Sequence, residues 1–110
     1  TQAEPDFALH QAVAARGAWI EYDNIGWVPH DETLARIARA LDAGLAPHLL
    51  LSHDAGWFDP AKPGGGTPMP FTPLLTDILP ALRRDGVDEA TLRMLTVDNP
   101  FAAFARPIVD

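Results

Sequence analysis

His48-Leu49-Leu50-Leu51-Ser52-His53-Asp54 is the stretch on which the fold turns. Three consecutive leucines after Pro47, bounded by polar and turn-forming residues, form an apolar run too short to prefer a helix. The run reads as a β-strand over His48–Ser52, buried on both faces. Upstream, Ala18-Trp19-Ile20-Glu21-Tyr22 is a second short run rich in aromatic and β-branched residues, and it also reads as a strand. Between the two, Leu34, Ile37, Ala38 and Leu41 recur at helical spacing while Arg36, Arg39 and Asp42 turn away. A helix therefore fills the connection, with Asp31 as its N-cap and Gly44 as its stop. A connection of about 25 residues is long enough for a crossover between parallel strands. The middle of the chain is one βαβ unit.

Working outward, Phe7, Leu9, Val13 and the alanines suit a short helix from Pro5 to Arg16, with Gly17 placed to end it. His10 falls in this helix and His30 at the start of the next, and both are expected at the surface. The segment Asp54 to Pro70 has no period and carries Gly64-Gly65-Gly66 and four prolines. Structureless connections of that length, about 17 residues, are usually functional or disordered. Phe71, Leu74, Leu75, Ile78, Leu79 and Leu82 then trace one helical face, with Thr72 as N-cap and Pro73 as first helical residue. Pro80 interrupts that helix and Gly86 ends it. Asp88 caps a short helix through Leu95, and Asp98-Asn99-Pro100 opens another containing Phe101 and Phe104.

The order is α, β, α, β, then helices, in a chain of 110 residues. Two parallel strands expose two edges and cannot cover their own apolar faces, so neighbouring strands must come from elsewhere. Eight basic residues against fifteen acidic ones leave a net charge of −7. No stripe of Lys or Arg is present, which argues against nucleic acid and anionic membrane as partners. Absence of cysteine excludes disulfides and thiolate chemistry. No apolar run approaches the roughly 20 residues that span a bilayer, and cytoplasm is the default expectation.

In parallel α/β architectures the functional groups gather beyond the carboxyl ends of the strands. That rule selects Glu21-Tyr22-Asp23-Asn24 and Ser52-His53-Asp54. An aspartate in such a place is either a turn or capping group, or else a metal ligand or general base. Adjacent strand residues point to opposite sides, so His53 and Asp54 do not bind one metal together. A role in packing or in supporting a metal ligand from behind suits His53, and His48 belongs to the opposite, stability-giving end of its strand.

Three strings carry a resemblance, in register: Ala14-Ala15-Arg16-Gly17-Ala18-Trp19-Ile20-Glu21-Tyr22-Asp23-Asn24-Ile25-Gly26; Leu49-Leu50-Leu51-Ser52-His53-Asp54-Ala55-Gly56-Trp57 with the Pro63-Gly64-Gly65-Gly66 loop; and Leu95-Thr96-Val97-Asp98-Asn99-Pro100 with Phe104. Together they resemble the end of a phosphotriesterase-related protein of the amidohydrolase superfamily, whose members are metal-dependent (β/α)8 barrels. The resemblance implies an α/β fold class in which residues 1–110 are the carboxyl-terminal portion of a TIM barrel, strands seven and eight plus closing helices. It implies that Asp54 ligates a centre of two divalent metal ions, commonly zinc, and takes the proton from the bridging hydroxide as that hydroxide attacks a phosphotriester, ester or lactone. Tyr22, Asp23, Asn24, Trp27 and Trp57 would shape the pocket for this small-molecule substrate. Trp57 and Phe58 would be pocket wall or lid.

Well-studied relatives carry a histidine where this chain has Asn24, and amide nitrogen cannot relay a proton as imidazole does. The family's His-x-His pair, its bridging carboxylated lysine or glutamate and its further histidines are also missing, since Lys62, the sole lysine, lies in the Pro/Gly loop. A start at Thr1 without Met fits a piece of a larger barrel, inactive by itself, and homodimerisation of the intact parent is an open expectation. Two alternatives stay open: a lactonase of the same family, and a non-catalytic interaction module that needs partner strands.

Overall fold

The structure, a computed structural model, describes residues 4–106. At its centre lies a parallel pair of strands, β1 (Ile20–Tyr22) and β2 (Leu49–Leu51), with Ile20 opposite Leu49, Glu21 opposite Leu50 and Tyr22 opposite Leu51. Both are shorter than the apolar runs that mark them. At the amino end of β2, Ala46–His48 winds as a 3-10 turn around Pro47, whose ring presets φ. At the carboxyl end the Ser52 amide still donates to the Tyr22 carbonyl at 3.0 Å, so pairing continues one step past the strand. Leu49 and Leu50 are both buried, as a strand covered on two faces requires, whereas Glu21 of β1 is exposed between buried Ile20 and Tyr22. Among the described residues each strand has one partner only.

Helix α1 (Phe7–Ala14) starts at Asp6, whose carboxylate accepts the Ala8 amide at 3.0 Å, and the chain leaves it through Gly17 at φ +79°. His10, expected at the surface, is instead 4% exposed. Its Nδ1 meets the Tyr22 hydroxyl at 3.1 Å and its Nε2 meets the Glu4 carbonyl at 3.0 Å. With both ring nitrogens satisfied, burial of the imidazole carries little penalty. Since a carbonyl only accepts, Nε2 donates to the Glu4 carbonyl.

Helix α2 (His30–Asp42) makes the crossover from β1 to β2. Pro29 is its N-cap, and Asp31, expected in that place, sits in the first turn with Glu32, where negative charge suits the helix dipole. Its inward stripe is Thr33, Ile37 and Ala40, flanked by Leu34 and Leu41. Ala38, expected to face the core, is exposed. A methyl side chain has too little apolar area to steer the helix against Ile37.

The two remaining helical segments share a device. Leu74–Ile78 is π-helical and leads into α3 (Leu79–Arg84). The second begins at α4 (Glu89–Arg93), passes through π-helical Met94–Asp98 and runs into α5 (Asn99–Phe104). Asp98-Asn99-Pro100 therefore does not open a new helix as expected; Asp98 has helical φ −73° and ψ −43° inside a continuous one. In each segment a proline, Pro80 or Pro100, stands two residues beyond the π turn. A proline ring clashes with the carbonyl four residues back, and the wider π turn gives that carbonyl room. The residue four back is Thr76 or Thr96; the Thr96 hydroxyl donates to the Leu92 carbonyl at 2.8 Å, and the Thr76 hydroxyl lies 2.6 Å from Asp77 Oδ2 and 3.2 Å from the Thr72 carbonyl. At two other helix starts capping matches expectation: the Asp88 carboxylate accepts the Thr91 amide at 2.9 Å, and the Thr72 carbonyl takes the first helical bonds, from Leu75 and Thr76.

Ile20, Ile37, Leu49, Ile78, Leu82 and Leu95 meet in one core, so both strands, α2 and the carboxyl-terminal helices are held together by apolar contact. No helix among the described residues is long and apolar enough to cross a membrane.

Candidate functional site

The carboxyl ends of β1 and β2 lie side by side, and the loops that leave them meet. Beyond β2, Asp54 is exposed and has φ +45°, in the left-handed region. His53 is half-buried, and its Nε2 accepts the Leu74 amide at 3.0 Å, so the imidazole anchors the start of the π-helical segment. Burial lowers its pKa, which keeps that nitrogen free to accept. His53 thus ties the loop after β2 to the helical segment that follows.

Beyond β1, Asp23 and Asn24 are half-buried, and the Asn24 carbonyl accepts the Trp27 amide at 3.0 Å in a tight turn. The turn delivers Trp27 across to the other loop. Its indole Nε1–H donates to the His53 carbonyl at 2.7 Å and the Asp54 carbonyl at 3.2 Å. The Trp57 Nε1–H donates to the same Asp54 carbonyl at 2.8 Å. Both rings remain open to solvent, Trp27 at 55% and Trp57 at 65% exposure.

Together with Phe58 and Met69 the two tryptophans line a cleft of about 440 Å³, floored by the Gly65-Gly66 turn. A Cβ on Gly65 would stand 2.3 Å from the Phe58 ring, and φ there is +85°, so a bare backbone is needed twice over. Phe58 and Met69 both belong to the loop from Trp57 to Met69 that the resemblance assigns to the pocket, though nothing in their spacing shows that the loop folds back to bring them together.

Tyr22 is placed differently from the rest. It is 2% exposed, its hydroxyl is bonded to His10, and it borders a second cleft of about 300 Å³ with Phe7, Arg36 and Arg39 on the helical side of β1. Burial raises its pKa, and the nearby Arg36 and Arg39 charges pull the other way. The structure thus brings Trp27, Trp57 and Asp54 together, keeps Asp23 and Asn24 in the adjoining turn, and sends Tyr22 to the opposite face.

Among the described residues no three His, Cys, Asp or Glu side chains converge as a metal would require. Asp54 fits one position of such a centre, being an exposed oxygen donor at a strand's carboxyl end. One carboxylate cannot by itself hold a metal pair.

Comparison with known proteins follows the same outline. The phosphotriesterase family profile matches residues 4–104. Phosphotriesterase homology proteins from Mycobacterium tuberculosis and Escherichia coli K12 are each 30% identical, over 109 and 91 residues, covering 92% and 80% of this chain. Those matches cover 33% and 30% of the relatives. Among solved structures, the phosphotriesterase from Mycobacterium tuberculosis superposes with TM-score 0.78 at 26% identity, covering 96% of this chain and 35% of that one. An organophosphorus hydrolase from Deinococcus radiodurans gives TM-score 0.72 at 33% identity, covering 88% of this chain and 33% of that one. The chain spans about a third of the length of the relatives it matches. Agreement of sequence and fold over nearly all of the described residues makes this chain a member of the phosphotriesterase family.

Proposed function

We propose that this chain supplies the seventh and eighth strands and closing helices of a (β/α)8 hydrolase barrel, and with them one wall of its active site. The observation that carries the reading is the position of Asp54: an exposed carboxylate just past β2, beside an aromatic cleft, in a chain whose relatives are phosphotriesterases. Two divalent ions, commonly zinc, would supply water activated for attack at neutral pH. Asp54 would hold one of them through a carboxylate oxygen and accept the proton released in the attack. The remaining ligands would come from strands outside this chain. Trp27, Trp57 and Phe58 offer apolar ring faces for the body of a phosphotriester, ester or lactone, and Asp23 and Asn24 the polar rim. Tyr22 supports the first loop from beneath.

A lactonase is the second reading within the same chemistry. It is favoured by similarity to a protein whose organophosphate hydrolysis activity was engineered from a weak promiscuous lactonase template, at 32% identity and TM-score 0.71. Activity assays on the whole protein that contains this chain test both. Asp54→Asn is expected to lower turnover of organophosphate or lactone by about 10²-fold or more. Undiminished turnover in the variant removes Asp54 from the chemistry, and the ratio of the two substrate classes decides between the readings. The 110-residue chain alone is expected to hydrolyse neither.

A further inference from the structure

Asp54 is the one non-glycine residue among those described with a left-handed φ. Aspartate enters that region more readily than most residues, yet the conformation persists only where its surroundings hold it. The holding contacts are specific. The His53 and Asp54 carbonyls belong to the two peptide planes that meet at the Asp54 Cα, and φ and ψ of Asp54 are the rotations between those planes. Trp27 Nε1–H reaches both carbonyls, at 2.7 and 3.2 Å, and Trp57 Nε1–H adds a second bond to the Asp54 carbonyl at 2.8 Å. His53, bonded through Nε2 to the Leu74 amide, fixes the preceding residue.

We infer that Trp27 and Trp57 are positioning residues, a clamp of two indole N–H groups that sets the Asp54 backbone and so the direction of its carboxylate. The inference rests on the reading of Asp54 as metal ligand and proton acceptor, and deepens it. The donors come from different loops, Trp27 from the one after β1 and Trp57 from the one after β2. Substrate contact by the exposed ring faces and aim of the carboxylate would then be properties of the same two residues, and a shift of either loop would reach Asp54 directly.

Two measurements on the full chain test this without turnover. In the unaltered chain with labelled tryptophan, the Trp27 and Trp57 indole N–H groups are expected to exchange with solvent about tenfold or more slowly than a free indole. Exchange of either at the free rate overturns the clamp. In the double variant Trp27→Phe with Trp57→Phe, which keeps aromatic bodies and removes both donors, the Asp54 Cα and Cβ chemical shifts are expected to leave their left-handed values. Shifts that stay in place while the α2 amide pattern is retained also overturn it. If the double variant does not fold, the exchange rates in the unaltered chain decide. Failure of the hydrolase reading would show separately, as unchanged turnover in Asp54→Asn with both indoles still protected.

Discussion

The two ends of the β1–β2 pair are built for different purposes. At the amino end, Asn99 is 5% exposed and donates through Nδ2 to the Ala46 and Leu49 carbonyls at 2.7 and 2.8 Å, tying α5 to the start of β2. Ile20 and Leu49 are fully buried there. At the carboxyl end the chain leaves an aspartate in the open, in a conformation that neighbouring indoles must hold, and spreads Trp27, Trp57 and Phe58 around a cleft. Groups consumed in internal bonds stabilise; groups left available can bind. That division between a stability end and a functional end is the one parallel α/β barrels share.

Substitutions can break or sharpen the contrast. The largest effect is expected at the amino end, where Leu49→Ala empties a fully buried site and lowers unfolding free energy by about 2–5 kcal/mol. Phe58→Ala, at a side chain 71% exposed, should change it by only about 0.5 kcal/mol or less while opening the cleft. Urea titrations giving equal losses for the two would erase the distinction. Asn99→Ala comes next, because it takes this donor from the buried Leu49 carbonyl and the part-buried Ala46 carbonyl, and about 1–3 kcal/mol should be lost. A neutral result there would mean that α5 is not tied to β2 through this amide.

The smallest effect is at Tyr22, which lies between the two ends in function. It is the chain's only tyrosine, so phenolate absorbance reports it alone. Burial raises its pKa above the ordinary 10.0. The folded chain therefore keeps the phenolic proton at a pH where the unfolded chain releases it. The resulting contribution is complete below pH 10.0 and is lost as pH rises through the folded value. A titration midpoint at or below the ordinary value would show that the ring is open to water.

Much of this was legible in the residues themselves. The triple leucine, the Leu34–Ile37–Leu41 spacing and the Asp88 cap signal their elements because local chemistry decides them. Asp98-Asn99-Pro100 misleads for an equally physical reason: it has the composition of a helix start, but preceding π turns let the helix run through the proline. His10 misleads because no local pattern reveals that a phenol twelve residues away will satisfy its ring. Asp54 stands out through its place after a strand and through resemblance, whereas its φ and its two indole donors leave no trace in spacing.

What the sequence determined by itself is the order of elements, the parallel pairing, and the two strand ends at which chemistry can gather, since each follows from short-range periodicity and from connection length. Only the tertiary structure decided which of the loop residues face one another. Trp27 and Trp57 are thirty residues apart and meet at one carbonyl, while Tyr22, next to Asp23 in the chain, turns to the other face and bonds His10. Alternation along a strand separates neighbours, and folding of loops joins strangers. Hydrogen-bond partners across such distances are chosen by the packed core that brings the loops together.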